Sequence, residues 1–149
     1  ANAHIRNVIS QSDVVRFLHA NRDQQALKPR LQAPVSSFMV TSVVSVPPSA
    51  TALECFKKLK NNGFSSLPIV DDSGSLVGCI HANDVKEIGT IKGLRAALSM
   101  SCLEFCKEFH PESQRSLHSI TCAPTQTYGE VLAIAVACRV HCVLVVAPD

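Results

Sequence analysis

Two short stretches place a carboxylate three residues after a hydrogen-bonding side chain: Ser10-Gln-Ser-Asp13 and His81-Ala-Asn-Asp84. A hydroxyl and a carboxylate at this spacing can satisfy the orphan amides of a helix start reciprocally. The same amide-rich end attracts anions. Ser10 and Asp13 therefore read as a helix cap that could also serve a ligand. His81 is a poor capping residue, which leaves Asp84 as the better single candidate for ligand contact. His118, Cys122, Cys138, His141 and Cys142 carry the donor atoms zinc prefers. No paired C-x-x-C hook organises them, and Cys138 and Cys142 fall at the end of an apolar helix and the start of a strand. Cys102 and Cys106 are helical neighbours on an apolar face, so no metal site is expected. Nothing marks one of the seven cysteines as activated by a helix start or a fixed base. The chain is not expected to be an enzyme.

Composition narrows the classes further. The 149 residues suffice for one ordinary domain, or for two small similar lobes sharing a core. With 46% hydrophobic and 17% charged residues, the chain is globular with a substantial core. A formal charge of +2 is too small for a nucleic-acid footprint. Lys57, Lys58 and Lys60 cluster on an expected helix as a solvated face. Aromatic residues are 5% and Trp is absent, which argues against a base-stacking platform. No apolar run approaches the roughly 20 residues that span a bilayer, and no signal peptide heads the sequence. Seven cysteines without a disulfide spacing point to reduced, largely buried thiols and an intracellular, cytoplasmic or nuclear, location.

The elements that position these residues emerge when the chain is slid over itself. At an offset of 76, Pro48 meets Pro124, Thr51 meets Thr127, Glu54 meets Glu130 and Val70 meets Val146. Each copy has a short apolar strand, a proline, Thr-x-x-Glu, an apolar-periodic helix and a β-branched strand. Thr-x-x-Glu before such a run is a capping box, and Gly63 stands where the first helix should end. The first copy continues through "DDSG" to a second strand, Leu76 to His81, and a helix from Asp84. The second copy reaches Asp149 without that strand and helix. At an offset of 71, "AHIRNVISQSDVVRFL" lies over "GSLVGCIHANDVKEIG". It supplies a strand, Ile5 to Ile9, and a helix, Val14 to Ala20. Between the copies, "GLRAALSMSCLEFCKEF" reads as one connecting amphipathic helix with Leu94, Ala97, Leu98, Cys102 and Phe105 on one side.

The stretches "LPIVDDSGSLVGCIHANDV" and "NVISQSDVVRFL" resemble the cystathionine-β-synthase (CBS) domain. The organisation is most similar to the γ regulatory subunits of AMP-activated and SNF1-related protein kinases. The resemblance implies an α/β fold of tandem CBS repeats (β-α-β-β-α) packed as a pseudo-twofold pair. Residues 1–22 would be the strand-helix tail of a repeat, 35–88 a complete repeat, and 89–116 a connecting helix. Residues 117–149 would be the head of a further repeat, completed by 1–22 in cis or by exchange between two chains.

The resemblance also implies clefts for adenosine nucleotides. An Asp at the helix start accepts the ribose hydroxyls there, and a Ser or Thr hydroxyl donates to a phosphate. Carried onto this chain, the tail offers Ser10 and Asp13, with Asn7 in place of the usual glycine. The complete repeat offers Asp84, with His81 in the Ser or Thr position, and Phe64, Ser65 and Ser66 at the strand-two entry. Base contacts would come from Ser45 and Val46, and in the partial repeat from Thr121, Val140 and His141. Cys142 stands where γ subunits often place an arginine, and Arg139 lies three residues earlier.

Two functions follow from the resemblance. One is a regulatory module that binds AMP, ADP or ATP, requires no cofactor, and controls an SNF1/AMPK-type kinase with its catalytic and scaffold subunits. The other is a CBS module without ligand, motivated by His81, Asn7 and Cys142, that acts as a docking surface. A homodimer through the CBS faces is expected; nucleic acid and membrane are not.

Overall fold

A computed structural model describes residues 7–89, 91–109 and 120–147. In chain order the helices are α1 (Gln11–Ala20), α2 (Lys28–Leu31), α3 (Ala52–Asn62), α4 (Ile91–Ser99), α5 (Cys102–Phe109) and α6 (Tyr128–Cys138). The strands are β1 (Ser66–Val70), β2 (Leu76–His81), β3 (Thr121–Cys122) and β4 (Leu144–Val145). Turns of 3-10 helix occupy Val35–Ser37 and Ala82–Glu87. The elements form two compact units, a central one within residues 40–119 and a terminal one within 1–39 and 120–149.

In the central unit, α3 begins at a capping box. The Glu54 amide donates to Thr51 Oγ1 at 3.3 Å, and the Thr51 amide donates to Glu54 Oε2 at 2.8 Å. The helix ends at Gly63, whose φ of 66° is left-handed and unhindered only without a Cβ. Ala52, Cys55 and Leu59 turn inward at helical spacing. β1 then pairs antiparallel with β2, placing Leu67 opposite Ile80. The Asp71 carboxylate holds the hairpin by accepting from the Ser73 and Ser75 amides. On the other side of β1, Val46 bridges Ile69 in parallel. Leu67, Ile69, Ile80 and Phe105 are enclosed in the core, and Phe105 meets Phe56 edge-on at 5.6 Å. Full burial of each such side chain stabilises by roughly 1.5–3 kcal/mol.

The terminal unit repeats the first part of this plan at the same offset. Thr127 and Glu130 form the capping box of α6. Arg139 takes the left-handed conformation, φ 51°, at the position equivalent to Gly63. β3 pairs in parallel with β4, with Cys122 opposite Val145 as Val46 is opposite Ile69. The Val146 amide donates to Cys122 O at 2.9 Å, and the Val70 amide donates to Val46 O at 2.9 Å. α1 lies against α6, and Phe38 packs edge-on against Tyr128 at 4.9 Å.

Several expectations change. The strand expected over Ile5 to Ile9 is absent at Asn7–Ile9, where Val8 and Ile9 are 84% and 79% exposed and have no ladder partner among the described residues; Ile5 and Arg6 lie outside those residues. The connecting segment is two helices rather than one. Ser101 interrupts it by capping α5: its amide donates to Glu104 Oε2 at 3.1 Å, and the Glu104 amide donates to Ser101 Oγ at 3.3 Å. Residues 110–116 of that expected helix lie outside the described residues. The helix expected from Asp84 is a 3-10 turn that begins two residues earlier. Before Pro48, the expected strand is reduced to the single Val46 bridge.

Candidate functional site

In the central unit the entry of β1 and the exit of β2 lie at one end of the hairpin. The register sets Ser66 opposite His81, and the Ala82 amide donates to Ser65 O at 2.9 Å. Ser65, Ser66 and His81 are thereby brought together, with Asp84 on the turn that follows. Phe64 and Ser65 are exposed and Ser66 is half-buried. Asp84 is a buried polar residue at 7% exposure. Its Oδ2 accepts the His81 amide at 2.7 Å. The poor capping residue thus heads a turn after all, with its own amide bound by the Asp84 carboxylate in a capping-box arrangement. The negative charge of Asp84 also reaches the core. The Cys106 thiol is pushed up to about 12 by burial first and by Asp84 second.

Val46 is buried beside β1, whereas Ser45 is exposed. The Ser45 carbonyl accepts from Lys58 Nζ at 3.0 Å, so one residue of the expected solvated lysine face instead ties α3 to the segment before β1. Sequence reasoning missed Lys58. No local signal joins two residues 13 positions apart; only the folded unit does.

In the terminal unit, Ser10 and Asp13 meet as a capping box. Asp13 Oδ2 accepts from the Ser10 amide at 2.9 Å and from its hydroxyl at 2.6 Å, and Asp13 Oδ1 accepts from Arg16 at 3.1 Å. The Ser10 hydroxyl, then its amide, holds the Asp13 carboxyl below its ordinary 3.8. Thr121 and His141 are exposed, and the amide of half-buried Val140 donates to Ala135 O at 3.1 Å. None of the described hydrogen bonds joins Ser10 or Asp13 to Thr121, Val140 or His141.

The central cluster offers hydroxyls, an imidazole and a carboxylate at the start of a helical turn. That set suits hydroxyl donors and anionic groups. Among the described residues, no three His, Cys, Asp or Glu side chains converge as a metal site. No described helix is long and apolar enough to cross a membrane.

The CBS domain family model matches residues 35–89, which contain this whole cluster. Over these residues the chain is similar to a CBS domain. It is 34% identical over 80 residues to inosine-5'-monophosphate dehydrogenase of Pasteurella multocida, a match covering 52% of this chain and 16% of that one. It is 26% identical over 155 residues to the SNF1-related protein kinase regulatory subunit gamma-1-like of Arabidopsis thaliana, covering 97% of this chain and 35% of that one. The chain thus spans about a third or less of these two relatives. Among solved structures, protein MJ1225 of Methanocaldococcus jannaschii superposes with a TM-score of 0.73 at 19% identity. That match covers 95% of this chain and 48% of MJ1225. CBSX2 in complex with AMP gives 0.62 at 16% identity, covering 78% and 83%. The fold is the α/β fold of tandem CBS repeats.

Proposed function

We propose that the protein is a regulatory CBS module that binds an adenosine nucleotide, AMP, ADP or ATP, and thereby controls an associated enzyme. The observation that carries this reading is the pairing of Ser66 with His81, which gathers the β1 entry and the Asp84 turn at one end of the hairpin. The likeness to CBSX2, solved with AMP, supports the ligand class. The likeness to the Arabidopsis gamma-1-like regulatory subunit supports an SNF1-related type of protein kinase as the enzyme controlled; its scaffold subunit and a cytoplasmic or nuclear setting belong to the same proposal. In this role the chain does no chemistry. Ligand acts by binding two conformations of the complex with different affinity.

A second reading, a CBS module kept as a docking or dimerisation scaffold, draws on the Asp84 contact. One oxygen of that carboxylate is already engaged by the His81 amide. Calorimetric titration of AMP, ADP and ATP separates the two readings. The parent should bind one of them, and Ser65→Trp, at an exposed position, should abolish binding while the protein stays folded. Asp84→Asn should weaken it. Equal binding by parent and Ser65→Trp would remove the site from the β1 entry. No heat at concentrations that detect millimolar affinity would establish the scaffold instead.

A further inference from the structure

Two cysteines of the central unit meet where the starts of α3 and α5 adjoin. The Cys102 amide donates to Ala50 O at 2.7 Å, which fixes the first residue of α5 against the lead-in to α3. Cys55 lies in the first turn of α3, its amide donating to Thr51 O at 3.1 Å. Farther along, Phe56 and Phe105 hold the two helices together edge-on. Between these contacts the Cys55 thiol meets the Cys102 sulfur in a side-chain hydrogen bond, and both residues are fully buried.

The sequence marks no cysteine as lying at a helix start, but the break at Ser101 makes Cys102 the first residue of α5. Its sulfur lies beside the Leu103 amide and its own, donors that favour a thiolate. The Cys55 hydrogen bond, ahead of these amides, holds the Cys102 thiol below its ordinary 9.0 against the opposing effect of burial. Burial raises the Cys106 thiol one turn later, which makes it the poorer nucleophile at neutral pH. The cover over Cys102 is thin. Its thiol donates to Pro47 O at 3.4 Å and to Pro48 O at 3.6 Å; Pro47 is exposed, and Pro48 and Ser101 are half-buried.

We propose that Cys55 and Cys102 are a redox pair that hydrogen peroxide, a neutral oxidant little larger than water, closes into a disulfide joining α3 to α5. The Cys102 thiolate attacks one peroxide oxygen; the O–O bond breaks, and the departing hydroxide takes the thiol's proton to become water. Cys55 then attacks the Cys102 sulfenic sulfur. The S–S bond forms, the S–O bond breaks, and the hydroxyl leaves with the Cys55 proton as a second water. Two thiols are oxidised and one peroxide is reduced. Sulfurs already in hydrogen-bond contact need only close to about 2.05 Å. The bond also removes the S–H that Cys102 donates to Pro47 O and Pro48 O, so the turn before α3 senses the change. This device does not depend on nucleotide binding.

The test uses the full chain carrying Cys138→Ser and Cys142→Ser, which removes the two thiols that are not buried. Folded protein is treated with hydrogen peroxide, denatured in urea with an alkylating reagent, and mapped by mass spectrometry. The Cys55–Cys102 peptide should exceed every other pairing by at least about tenfold, because contact gives this pair the advantage of proximity. Dithiothreitol should return both thiols. Cys102→Ser keeps a hydroxyl that can donate to the Pro47 and Pro48 carbonyls, so it should stay folded and leave Cys55 reduced. In Cys55→Ala the sulfenic acid has lost its resolving thiol, and dimedone added with the urea should trap it on Cys102. A main product joining Cys102 to Cys106, or a link that forms only after unfolding, would overturn the proposal. So would oxidation of Cys55 at the parent's rate in Cys102→Ser, or a pair that stays reduced at peroxide levels that oxidise free cysteine completely.

Discussion

Thr51 and Ser101 face each other across an antiparallel bridge, and each caps the helix that follows it. The Ala52 amide donates to Met100 O at 2.9 Å, and the Cys102 amide donates to Ala50 O at 2.7 Å. The starts of α3 and α5 therefore share two of their otherwise orphan amides. Near the start of α6 the pattern recurs: the Tyr128 amide donates to Ala33 O and the Val35 amide to Gln126 O. Thr51→Ala and Ser101→Ala should each destabilise the protein by about 1 kcal/mol in urea unfolding. Because the two caps adjoin, the double variant should depart from additivity by more than about 0.5 kcal/mol. Strict additivity would mean that the two helix starts are energetically independent.

The same boxes contribute to the acid sensitivity of stability. Glu54, Glu104 and Glu130 are each held below the ordinary 4.5. For Glu54 and Glu130 the leading cause is the amide of the capping threonine; for Glu104 it is the Ser101 hydroxyl. A carboxyl lowered on folding binds protons more readily in the unfolded chain. Its stabilisation is present above 4.5 and is lost as pH falls through the folded value. The urea midpoint should therefore decline on acidification from about pH 6 to about pH 3, and Glu54→Gln should flatten part of that decline. An unchanged slope in Glu54→Gln would show that this box contributes no linkage.

The parts of the fold legible in the sequence are those written in local signals. Thr-x-x-Glu, the proline before it and Gly63 after α3 mark helix boundaries that the chain obeys. The same signal was present at Ser101-x-x-Glu104 but was hidden by apolar periodicity running through it. Arg139 shows the reverse: a residue without glycine's freedom takes the left-handed C-cap, because the repeat demands it there. Within the site, the hairpin itself was legible from its turn residues, but the register that sets Ser66 opposite His81 came only with the folded ladder. The Lys58–Ser45 contact was not legible either, since it depends on how α3 lies against the segment before β1.

The thiols should separate by reactivity. The Cys55 thiol is held up by its hydrogen bond with Cys102 and by burial, and burial also raises Cys106 and Cys122. Cys138 and Cys142 are the two that are not buried. With a thiol reagent at about pH 8, mass spectrometry should find these two labelled first and the other five only after unfolding. Labelling of Cys55 or Cys106 at the rate of Cys142 would mean that the central core opens readily.

Lys58 is a positioning residue for the proposed nucleotide site. Its ammonium fixes the Ser45 carbonyl at 3.0 Å, and Ser45 leads directly into Val46, the only part of that segment bridged to β1. Lys58→Met keeps the aliphatic stem and removes the donor. Loss of one half-exposed hydrogen bond, worth about 1 kcal/mol, should weaken nucleotide binding about fivefold through a less ordered Ser45. Lys58→Arg, which retains a donor, should recover much of the affinity. Global stability should fall by no more than about 1 kcal/mol in Lys58→Met and by less in Lys58→Arg, because the hydrogen bond is made in the free protein too. A fivefold loss of affinity that arginine rescues would assign Lys58 to the site. Equal affinity in Lys58→Met would leave the lysine as a tether with no bearing on the ligand.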